Sequence, residues 1–294
     1  MVQTSGLAHM TIAVTDTERS LEFYRRHLGM TFLGGSHERG MIFLDAGGDC
    51  IILARVDTAP STARLEDIHH AFIVDHGATP APLGYRGFPK SICTSINHVV
   101  CHGIPGDKTL ADGDILNIDI TVIVDGWHGD TSRMFPIGRI GVKAAKLMDA
   151  TFEAMWAGIE TVRPEATLGD IGHAIQSSAE AKRYSVVRDF CGHGLGQVFH
   201  DAPNVMHYGE AGQGDKLREG MFFTIEPMIN TGGYEVKILG DGWTAVTKDR
   251  SLSAQFEHSL GVTADGVEDW PRMAKTAVAE RLAERVAETL AAAP

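Results

Sequence analysis

Cysteine is scarce in this chain, and no apolar run approaches the length needed to cross a membrane. The four cysteines, Cys50, Cys93, Cys101 and Cys191, lack the paired spacing of a zinc ribbon and are too few for a disulfide scaffold. We interpret them as thiols. The first residues, MVQTSGLAHM, also lack the basic segment and long apolar core of a signal peptide. We therefore expect a cytoplasmic protein without a membrane partner.

Basic residues are outnumbered as well. The chain has 26 lysines and arginines against 38 aspartates and glutamates, a formal net charge of −12. An acidic surface repels nucleic acid and anionic membranes, so we expect neither as a partner. The length of 294 residues, 44% of them hydrophobic, allows a large buried core in one domain or in one domain plus a smaller module.

Two aspartates lie in a predicted hairpin over residues 115–135, ILNIDITVIVDGWHGDTSRMF. Asp125-Gly126 favours a tight type I′ turn between two apolar runs. If the strands pair directly across this turn, Asp119 and Asp130 point to one face as diagonal neighbours, roughly 7–8 Å apart or less. A single cation can bridge two carboxylates placed in this way. The alternative is a solvated hairpin face.

Three further polar residues lie in unusual surroundings. His193 stands between glycines in FCGHGLGQVFHDAPNV, with His200 seven residues later. Glu226 ends the apolar run of MFFTIEPM, and Glu257 lies in a second apolar segment, SLSAQFEHSLGV. A histidine in a glycine-rich loop is weak evidence alone, but carboxylates in apolar strands need partners.

The charges of these groups favour two cations. The carboxylates of Asp119, Asp130, Glu226 and Glu257 carry four negative charges beside the neutral imidazole of His193. Two divalent ions cancel these charges, whereas one leaves a buried site strongly negative. An oxygen-rich set with one nitrogen suits Mn, Fe, Co or Zn, and the sequence leaves the choice open.

From about residue 56 to 268 the chain resembles the type I methionine aminopeptidases. The resemblance rests on NHVVCHGIP, NIDITVIVDGWHGDTSRMF, CGHGLGQVFH, FFTIEPM and DGWTAVTKDRSLSAQFEHSLGVT. It implies an α/β pita-bread fold of two pseudo-symmetric halves. It also implies a dinuclear centre with Asp119 on one metal, His193 and Glu226 on the other, and Asp130 and Glu257 bridging.

The same resemblance implies how substrate is bound and cleaved. His102 and His200 would hydrogen-bond the substrate amide and stabilise the tetrahedral intermediate, while Glu226 moves the proton of a metal-activated water. The implied methionine side-chain pocket is lined by Tyr85, Phe88, Cys93, Phe199 and Trp243. The implied reaction removes the N-terminal methionine from peptides and nascent proteins. Prolidase-type enzymes share the ligand set, but the CHGIP-centred arrangement and the absence of a large N-terminal domain favour methionine removal.

An internal repeat supports duplicated halves and reveals a missing element. Residues 65–71, LEDIHHA, recur as residues 168–174, LGDIGHA. The second copy follows a predicted helix over residues 141–162, so the first copy predicts a helix near residues 39–58. That stretch instead contains two short β runs around Gly47-Gly48. The expected helix is therefore absent.

The N-terminal segment has a different pattern, LAHMTIAVTDTERSLEFYRRHLGMTFLGG, which predicts a βαβββ unit. Over residues 6–56 it resembles half of a vicinal-oxygen-chelate domain, the glyoxalase and bleomycin-resistance fold. His9 falls on that family's first metal-ligand position, but Ala54 and Arg55 stand where a carboxylate is expected. We interpret His9 as a packed or exposed histidine. A single unit leaves a sheet face and edge uncovered, which predicts a homodimer or packing on the catalytic domain.

The predicted organisation is therefore a half-module over residues 1–56, a catalytic domain over 57–267 and an amphipathic helix over 268–294. The helix is indicated by a stripe of Val278, Leu282, Val286 and Leu290. Two alternatives to a working peptidase remain open. One is a vicinal-oxygen-chelate metalloenzyme or binding protein, and the other is a fusion whose peptidase is impaired by the missing helix.

Overall fold

The computed structural model describes residues 9–14, 17–28, 30–37, 41–45, 50–55 and 60–268. The N-terminal unit consists of β1 (His9–Val14), α1 (Thr17–Leu28), β2 (Thr31–Ser36), β3 (Met41–Asp45) and β4 (Cys50–Arg55). Its sheet has the order β1-β4-β3-β2, with β1 parallel to β4. The predicted βαβββ unit is thus confirmed. Strands β3 and β4 occupy the segment in which the repeat predicts a helix.

One face of this small sheet is covered by α1. Ile42 and Leu44 alternate along β3 and are buried, at 1% and 0% exposure, against Leu21, Tyr24 and Met30. Alternate residues of the strand are apolar, and they pack against the apolar face of the helix to form a small core. This cluster shares no residue with the other hydrophobic clusters of the described chain.

Among the described strands, β2 lies at the edge of this sheet beside β3, and it exposes large apolar side chains. Phe32 and Leu33 are 44% and 52% exposed. An edge strand with exposed apolar residues is suited to pairing or packing. The homodimer expected from the sequence remains a proposal.

The larger body begins at residue 60 and contains three helices and fifteen strands. The helices are α2 (Thr62–Asp75), α3 (Val142–Ile159) and α4 (Leu168–Ala181). The strands before α3 are β5 (Thr79–Pro80), β6 (Cys93–Ile96), β7 (Val99–Cys101), β8 (Ile115–Val124) and β9 (Trp127–Pro136). Those after α4 are β10 (Ser185–Val186), β11 (Gly192–Gly194), β12 (Asp201–Val205), β13 (Phe222–Ile225), β14 (Met228–Asn230), β15 (Val236–Ile238), β16 (Ala245–Thr247), β17 (Ser253–Gln255), β18 (Glu257–Thr263) and β19 (Gly266–Glu268).

A nine-stranded sheet forms the centre of this body. Seven strands follow the order β12-β11-β13-β18-β9-β8-β5, while β19 pairs with β18 and β6 pairs with β8. Two three-stranded sheets, β10-β14-β17 and β15-β16-β7, lie beside it. The central sheet is continuous across β18 and β9, where the later part of the chain meets the earlier part.

The duplication predicted from the sequence appears as a repeated pattern of backbone hydrogen bonds. Ser61 and Thr167 cap α2 and α4, and each also forms an isolated β-bridge with a later loop. Three hydrogen bonds then recur in the same order in both copies: Thr62 N to Lys108 O, Ala63 N to Gly106 O and Leu110 N to Pro60 O; Leu168 N to Asp215 O, Gly169 N to Gln213 O and Leu217 N to Ala166 O. The two halves are built on the same local design.

The surroundings of the two repeated helices differ. Helix α3 packs closely on α4 at Gly158, where an added Cβ would lie 2.7 Å from Cγ1 of Ile175. Among the described residues, the hydrophobic cluster around α2 contains no residue of another helix. The first half therefore lacks a described counterpart of α3, in agreement with the sequence.

Some predictions fall outside the described residues. These are the amphipathic helix over residues 268–294, of which only Glu268 is described, and the side-chain position of His9. Of the helices that the structure describes, none combines the length and the apolar character of a membrane span.

Candidate metal centre

The hairpin of β8 and β9 has the predicted register. Its turn residues, Asp125 and Gly126, have φ angles of 50° and 85°, the left-handed pair required by a type I′ turn. Asp130 lies opposite Thr121, and Asp119 lies two residues before Thr121 on the neighbouring strand. Because side chains alternate along a strand, both carboxylates point to the same sheet face.

A row of paired residues brings a third carboxylate to this face. Ser132 on β9 pairs with Asp119 on β8 and, on its other side, with Glu257 on β18. Paired residues on adjacent strands share a face of the sheet. Asp119 and Glu257 therefore flank Ser132 on three successive strands, although they are far apart in the chain.

The structure gathers the predicted ligands into a buried cluster. Donor atoms of Asp130, His193 and Glu257 all lie within 4.8 Å of one another. His193 Nε2 lies 3.8 Å from Asp130 Oδ2 and 3.7 Å from Oε1 of Glu226. Asp119 lies close enough to act electrostatically on Glu226. All five predicted residues thus meet at one place.

The protonation pattern of this cluster suits a cation. Burial raises the pKa of the Glu226 carboxyl well above its usual range, and the negative charges of Asp130 and Asp119 raise it further. His193 Nδ1 donates to the carbonyl oxygen of Gly194 at 3.0 Å, and its Nε2 faces the carboxylates of Asp130 and Glu226. The buried Asp, His and Glu groups fit divalent metal binding.

Thr224 connects two of these side chains and was not predicted from the sequence. Its Oγ1 donates to Glu226 Oε1 at 2.7 Å and accepts a hydrogen bond from the backbone N–H of His193 at 3.0 Å. The signal available in the sequence was the two-residue spacing of Thr224 and Glu226 in FFTIEPM, which places both on one side of the chain.

Replacing Thr224 with valine is expected to weaken metal binding by about 10- to 100-fold, the usual cost of losing a hydrogen bond to a metal ligand. The valine keeps the shape of the side chain but frees the Glu226 carboxylate and leaves the His193 amide unsatisfied. The measurement is a calorimetric metal titration. Thr151→Val is the matched control, since Thr151 is buried in α3 and donates to Leu147 O. Equal affinities for both variants would contradict the role of Thr224.

Other contacts orient the carboxylates and were also missed. Thr121 Oγ1 donates to Asp130 Oδ1 at 2.6 Å, and Ser259 Oγ accepts from the Asp130 N–H at 3.1 Å. His207 Nε2 accepts the Glu226 N–H at 3.2 Å, and burial lowers the pKa of His207 to about 3, so its ring is neutral. No spacing in the sequence links His207 to Glu226, because a loop separates them.

Glycines on either side of His193 allow the backbone to approach its neighbours closely. An added Cβ would lie 2.2 Å from the carbonyl oxygen of Thr224 at Gly192, and 2.0 Å from that of Ala202 at Gly194. Both contacts are with backbone, so the strands would have to move apart. These glycines set the distance between His193 and the strand leading to Glu226.

Gly192→Ala is expected to lower activity by about a hundredfold, because a displacement of about 1 Å in a catalytic site has a cost of that order. The measurement is kcat/KM for peptide cleavage together with metal affinity. Gly196→Ala is the matched control in the same loop, since an added Cβ there meets only the Trp127 ring at 3.6 Å. Similar losses in both variants would argue against a specific clash at Gly192.

The two auxiliary histidines predicted from the sequence lie beside the cluster. The His200 ring centroid is 4.2 Å from that of His193, and the His102 ring makes edge contacts with Phe190 at 5.4 Å and Trp243 at 6.1 Å. Burial lowers the pKa of His102, and burial followed by the charge of His193 lowers the pKa of His200 to about 3. Both rings are therefore neutral near pH 7.

The predicted pocket residues form two aromatic pairs that reach these histidines. Tyr85 packs on Phe199 at 4.8 Å and stacks on His200 at 5.2 Å, while Phe88 packs on Trp243 at 5.2 Å. Cys93 is buried and pairs in register with Asp119, and burial followed by the Asp119 charge raises its pKa. Cys93 is therefore a neutral thiol near pH 7.

A separate surface cavity of about 310 Å³ contains none of the predicted site residues. Its lining includes Arg188, whose guanidinium lies 4.3 Å from the ring of Tyr234 and 5.4 Å from that of Tyr208. The candidate metal centre is therefore identified from the arrangement of its donor atoms and not from the volume of a cavity.

Comparison with protein families gives two matches. Residues 45–264 match the metallopeptidase family M24, and residues 6–77 match the glyoxalase/bleomycin resistance protein/dioxygenase superfamily. The second match agrees with the resemblance found for the N-terminal segment. The two matches overlap over residues 45–77, a region that contains β4 and α2.

Similar proteins cover most of the larger body. The chain is 62% identical over 209 residues to a methionine aminopeptidase of Rickettsia prowazekii, covering 71% of this chain and 81% of the relative. A crystal structure of methionine aminopeptidase from that organism has a TM-score of 0.71, covering 71% of this chain and 85% of the other. A prolidase from Pyrococcus furiosus, at 20% identity and a TM-score of 0.55, covers 71% of this chain and 55% of its own and shows a shared fold only.

Proposed function

This chain belongs to metallopeptidase family M24, and from that membership we propose that it removes the N-terminal methionine from peptides and nascent proteins. The body from residue 60 onward has the pita-bread fold of two related halves. The observation that carries the proposal is the buried cluster of Asp130, His193 and Glu257, set among the motifs shared with the methionine aminopeptidases. From the proposed nascent-protein substrate we infer a cytoplasmic location.

We assign the cluster two divalent ions, drawn from Mn, Fe, Co or Zn. Asp119, Asp130, Glu226 and Glu257 supply four negative charges, which two such ions neutralise in a buried site. Asp130, His193 and Glu257, together with Asp119 and Glu226, would hold these ions. When bound, such ions polarise the scissile carbonyl and lower the pKa of water at the site.

Glu226 is the residue that we assign to proton transfer. Burial and the charges of Asp130 and Asp119 raise the pKa of its carboxyl well above its usual range, a direction that favours proton acceptance. The carboxylate would take a proton from the attacking water and deliver it to the departing amine. The hydrogen bond from Thr224 holds the carboxylate in place during this transfer.

His102 and His200 would bind the substrate as hydrogen-bond donors. Both imidazoles are neutral, so each carries one N–H and adds no net positive charge beside the cations. A preorganised N–H directed at the scissile amide stabilises the negative charge that develops on its oxygen. The two histidines lie at the inner ends of the aromatic pairs, where the reacting carbonyl has to be held.

The aromatic pairs form the side-chain pocket of the proposed substrate. Tyr85 and Phe199 on one side, and Phe88 and Trp243 on the other, offer ring faces and edges that suit a thioether. The neutral thiol of Cys93 adds a polarizable wall. A pocket of this kind selects an unbranched, apolar first residue.

The metal-free protein, titrated with Mn or Co, is expected to release methionine from a Met-Gly-Ser peptide, with Asp119→Ala as the inactive control. An Xaa-Pro dipeptide tests the prolidase alternative in the same assay. Methionine release that requires metal supports the proposal. Folded, metal-loaded protein that releases no methionine would overturn it, and would indicate that the missing helix disables the site.

The N-terminal segment is assigned a structural role. We propose residues 1–56 as a packing module, 57–267 as the catalytic domain and 268–294 as a terminal extension. Ala54 and Arg55 occupy the positions where a vicinal-oxygen-chelate carboxylate is expected, which argues against glyoxalase chemistry. The exposed Phe32 and Leu33 of β2 support pairing of the module in a homodimer. Sedimentation analysis of the full chain and of Leu33→Glu tests this role, since the substitution is expected to give monomers.

A further inference from the structure

A tight turn at the edge of the proposed pocket holds one arginine in an unusual backbone conformation. Residues 85–87 form a single 3₁₀ turn in which Arg86 has φ 48° and ψ 28°. Its neighbours Gly84 and Gly87 have φ angles of 80° and 87°. A left-handed conformation is inexpensive for glycine but costs a residue with a side chain about 1 kcal/mol or more. Arg86 therefore occupies a position where glycine would be less strained.

The turn is anchored firmly on both sides of this arginine. Four backbone hydrogen bonds of 2.8 to 3.2 Å close residues 82–88 on themselves. Tyr85 is held by Phe199 and His200, and Phe88, only 3% exposed, packs on Trp243. Arg86 lies between these two packed aromatic residues, and its own side chain is exposed. Its guanidinium carbon lies 5.2 Å from the centroid of the Tyr85 ring.

The charge of Arg86 is not neutralised by the described part of the protein. Within residues 9–55 as described and 60–268, no carboxylate forms an ion pair with this guanidinium. Arg86 lies over the ring of Tyr85, which in turn stacks on His200 beside the cluster. A free cation at the entrance of a site in an acidic protein is available to a negatively charged group.

The distance from the metal ligands to Arg86 corresponds to a few residues of substrate. The ring centroids of His193 and His200 are 4.2 Å apart, those of His200 and Tyr85 are 5.2 Å apart, and Arg86 lies 5.2 Å from the Tyr85 ring. An extended peptide advances roughly 3.3 Å per residue, so a chain with its first residue at the metals passes Arg86 within its next few residues.

We propose that Arg86 is a specificity-determining residue that binds an acidic side chain at the second to fourth position of the substrate. This inference rests on the proposed function, because it requires a peptide whose first residue occupies the pocket. The partner chemistry is a carboxylate, which the guanidinium binds in a two-pronged geometry. Peptides that are acidic after the initial methionine would be bound more tightly than basic ones, despite the negative charge of the whole protein.

The test compares Met-Ala-Glu-Glu-Ala, Met-Ala-Gln-Gln-Ala and Met-Ala-Lys-Lys-Ala as substrates of the metal-loaded full chain. The acidic peptide is expected to have a KM about threefold lower than the neutral one, with kcat unchanged, as for an exposed ion pair. Arg86→Gln removes this preference and Arg86→Glu reverses it in favour of the lysine peptide. Raising the salt from 0.05 M to 1 M should abolish the difference, because the screening length falls to about 3 Å.

Arg183→Glu is a closely matched control for the charge reversal. Arg183 is also an exposed arginine with a left-handed backbone, φ 64°, but it follows α4 and lines the surface cavity, whose lining includes none of the predicted site residues. This variant is expected to keep the wild-type order of the three peptides. Equal KM values for all three peptides, or a preference that persists in Arg86→Glu, would overturn the inference alone. Cleavage of none would overturn the proposed function and the inference with it.

Discussion

Asp130→Ala is expected to lower kcat/KM for methionine release by about a thousandfold or more. A correctly placed metal ion stabilises the transition state by several kcal/mol, and each 1.36 kcal/mol corresponds to a factor of ten. Asp130 is 5% exposed, lies within 4.8 Å of the donors of His193 and Glu257, and is held by Thr121 and Ser259. Its loss removes one carboxylate of the proposed ligand set from the buried cluster.

The control for this substitution is Asp149→Ala, which removes an exposed carboxylate from α3. Both variants should show the same circular dichroism and be assayed with excess metal. We expect Asp149→Ala to retain full activity. An Asp130→Ala variant that keeps more than about a tenth of the wild-type kcat/KM, a loss below about 1.4 kcal/mol, would contradict the assignment of Asp130 as a metal ligand.

Removal of the metal is expected to abolish activity and to lower the unfolding temperature by about 5–10 °C. Without cations, buried carboxylates face one another, as the raised pKa of Glu226 indicates. Metal at about 100 times its Kd adds about 2.7 kcal/mol to the free energy of unfolding. A body of this size gains about 2–4 °C for each kcal/mol.

Differential scanning calorimetry of the chelated and reloaded protein measures this effect, and isothermal titration gives the number of ions. Two ions per chain are expected, and activity should return with the metal. The Asp130→Ala variant serves as control, because its unfolding temperature should respond much less to added metal. A chelated protein as stable as the loaded one would show that the cluster does not bind metal tightly.

Local rules made the grouping of the proposed ligands predictable. The turn at Asp125-Gly126 fixes the hairpin register, and the register determines that Asp119 and Asp130 share a face. Glu226 and Glu257 were conspicuous because Glu226 follows an apolar strand and Glu257 begins another. In these cases a short stretch of sequence contains both the side chain and the reason for its orientation.

The supporting contacts were harder to predict because they join distant parts of the chain. His207 accepts the Glu226 N–H across a loop, and Ser259 holds Asp130 from 129 residues away. Nothing near either residue indicates its partner. Thr224 is intermediate, since its spacing from Glu226 indicates a shared face but not the hydrogen bond to the His193 backbone.

The internal repeat made it possible to predict that the first half lacks a helix. The exact boundary of the N-terminal unit stays a prediction. Matching hydrogen bonds around α2 and α4 support the duplication, but they align Thr62 with Leu168, three residues away from the alignment of Leu65 with Leu168 in the sequence repeat. The two family matches overlap over residues 45–77, so they do not define the residue at which the glyoxalase-like segment ends and the peptidase-like segment begins. Residue 56 remains our proposed boundary, because β4 ends at Arg55 and α2 begins at Thr62.

The pairing of β9 with β18 also determines when during synthesis the enzyme becomes active. The hydrogen bond from Thr131 to the Glu257 backbone joins residues 126 positions apart, so the hairpin bearing Asp119 and Asp130 leaves the ribosome long before its partner strand. Contacts of such long sequence separation form late in folding. An unfinished chain thus lacks Glu257, one of the five proposed ligands, and we expect activity only once β18 has been made and paired.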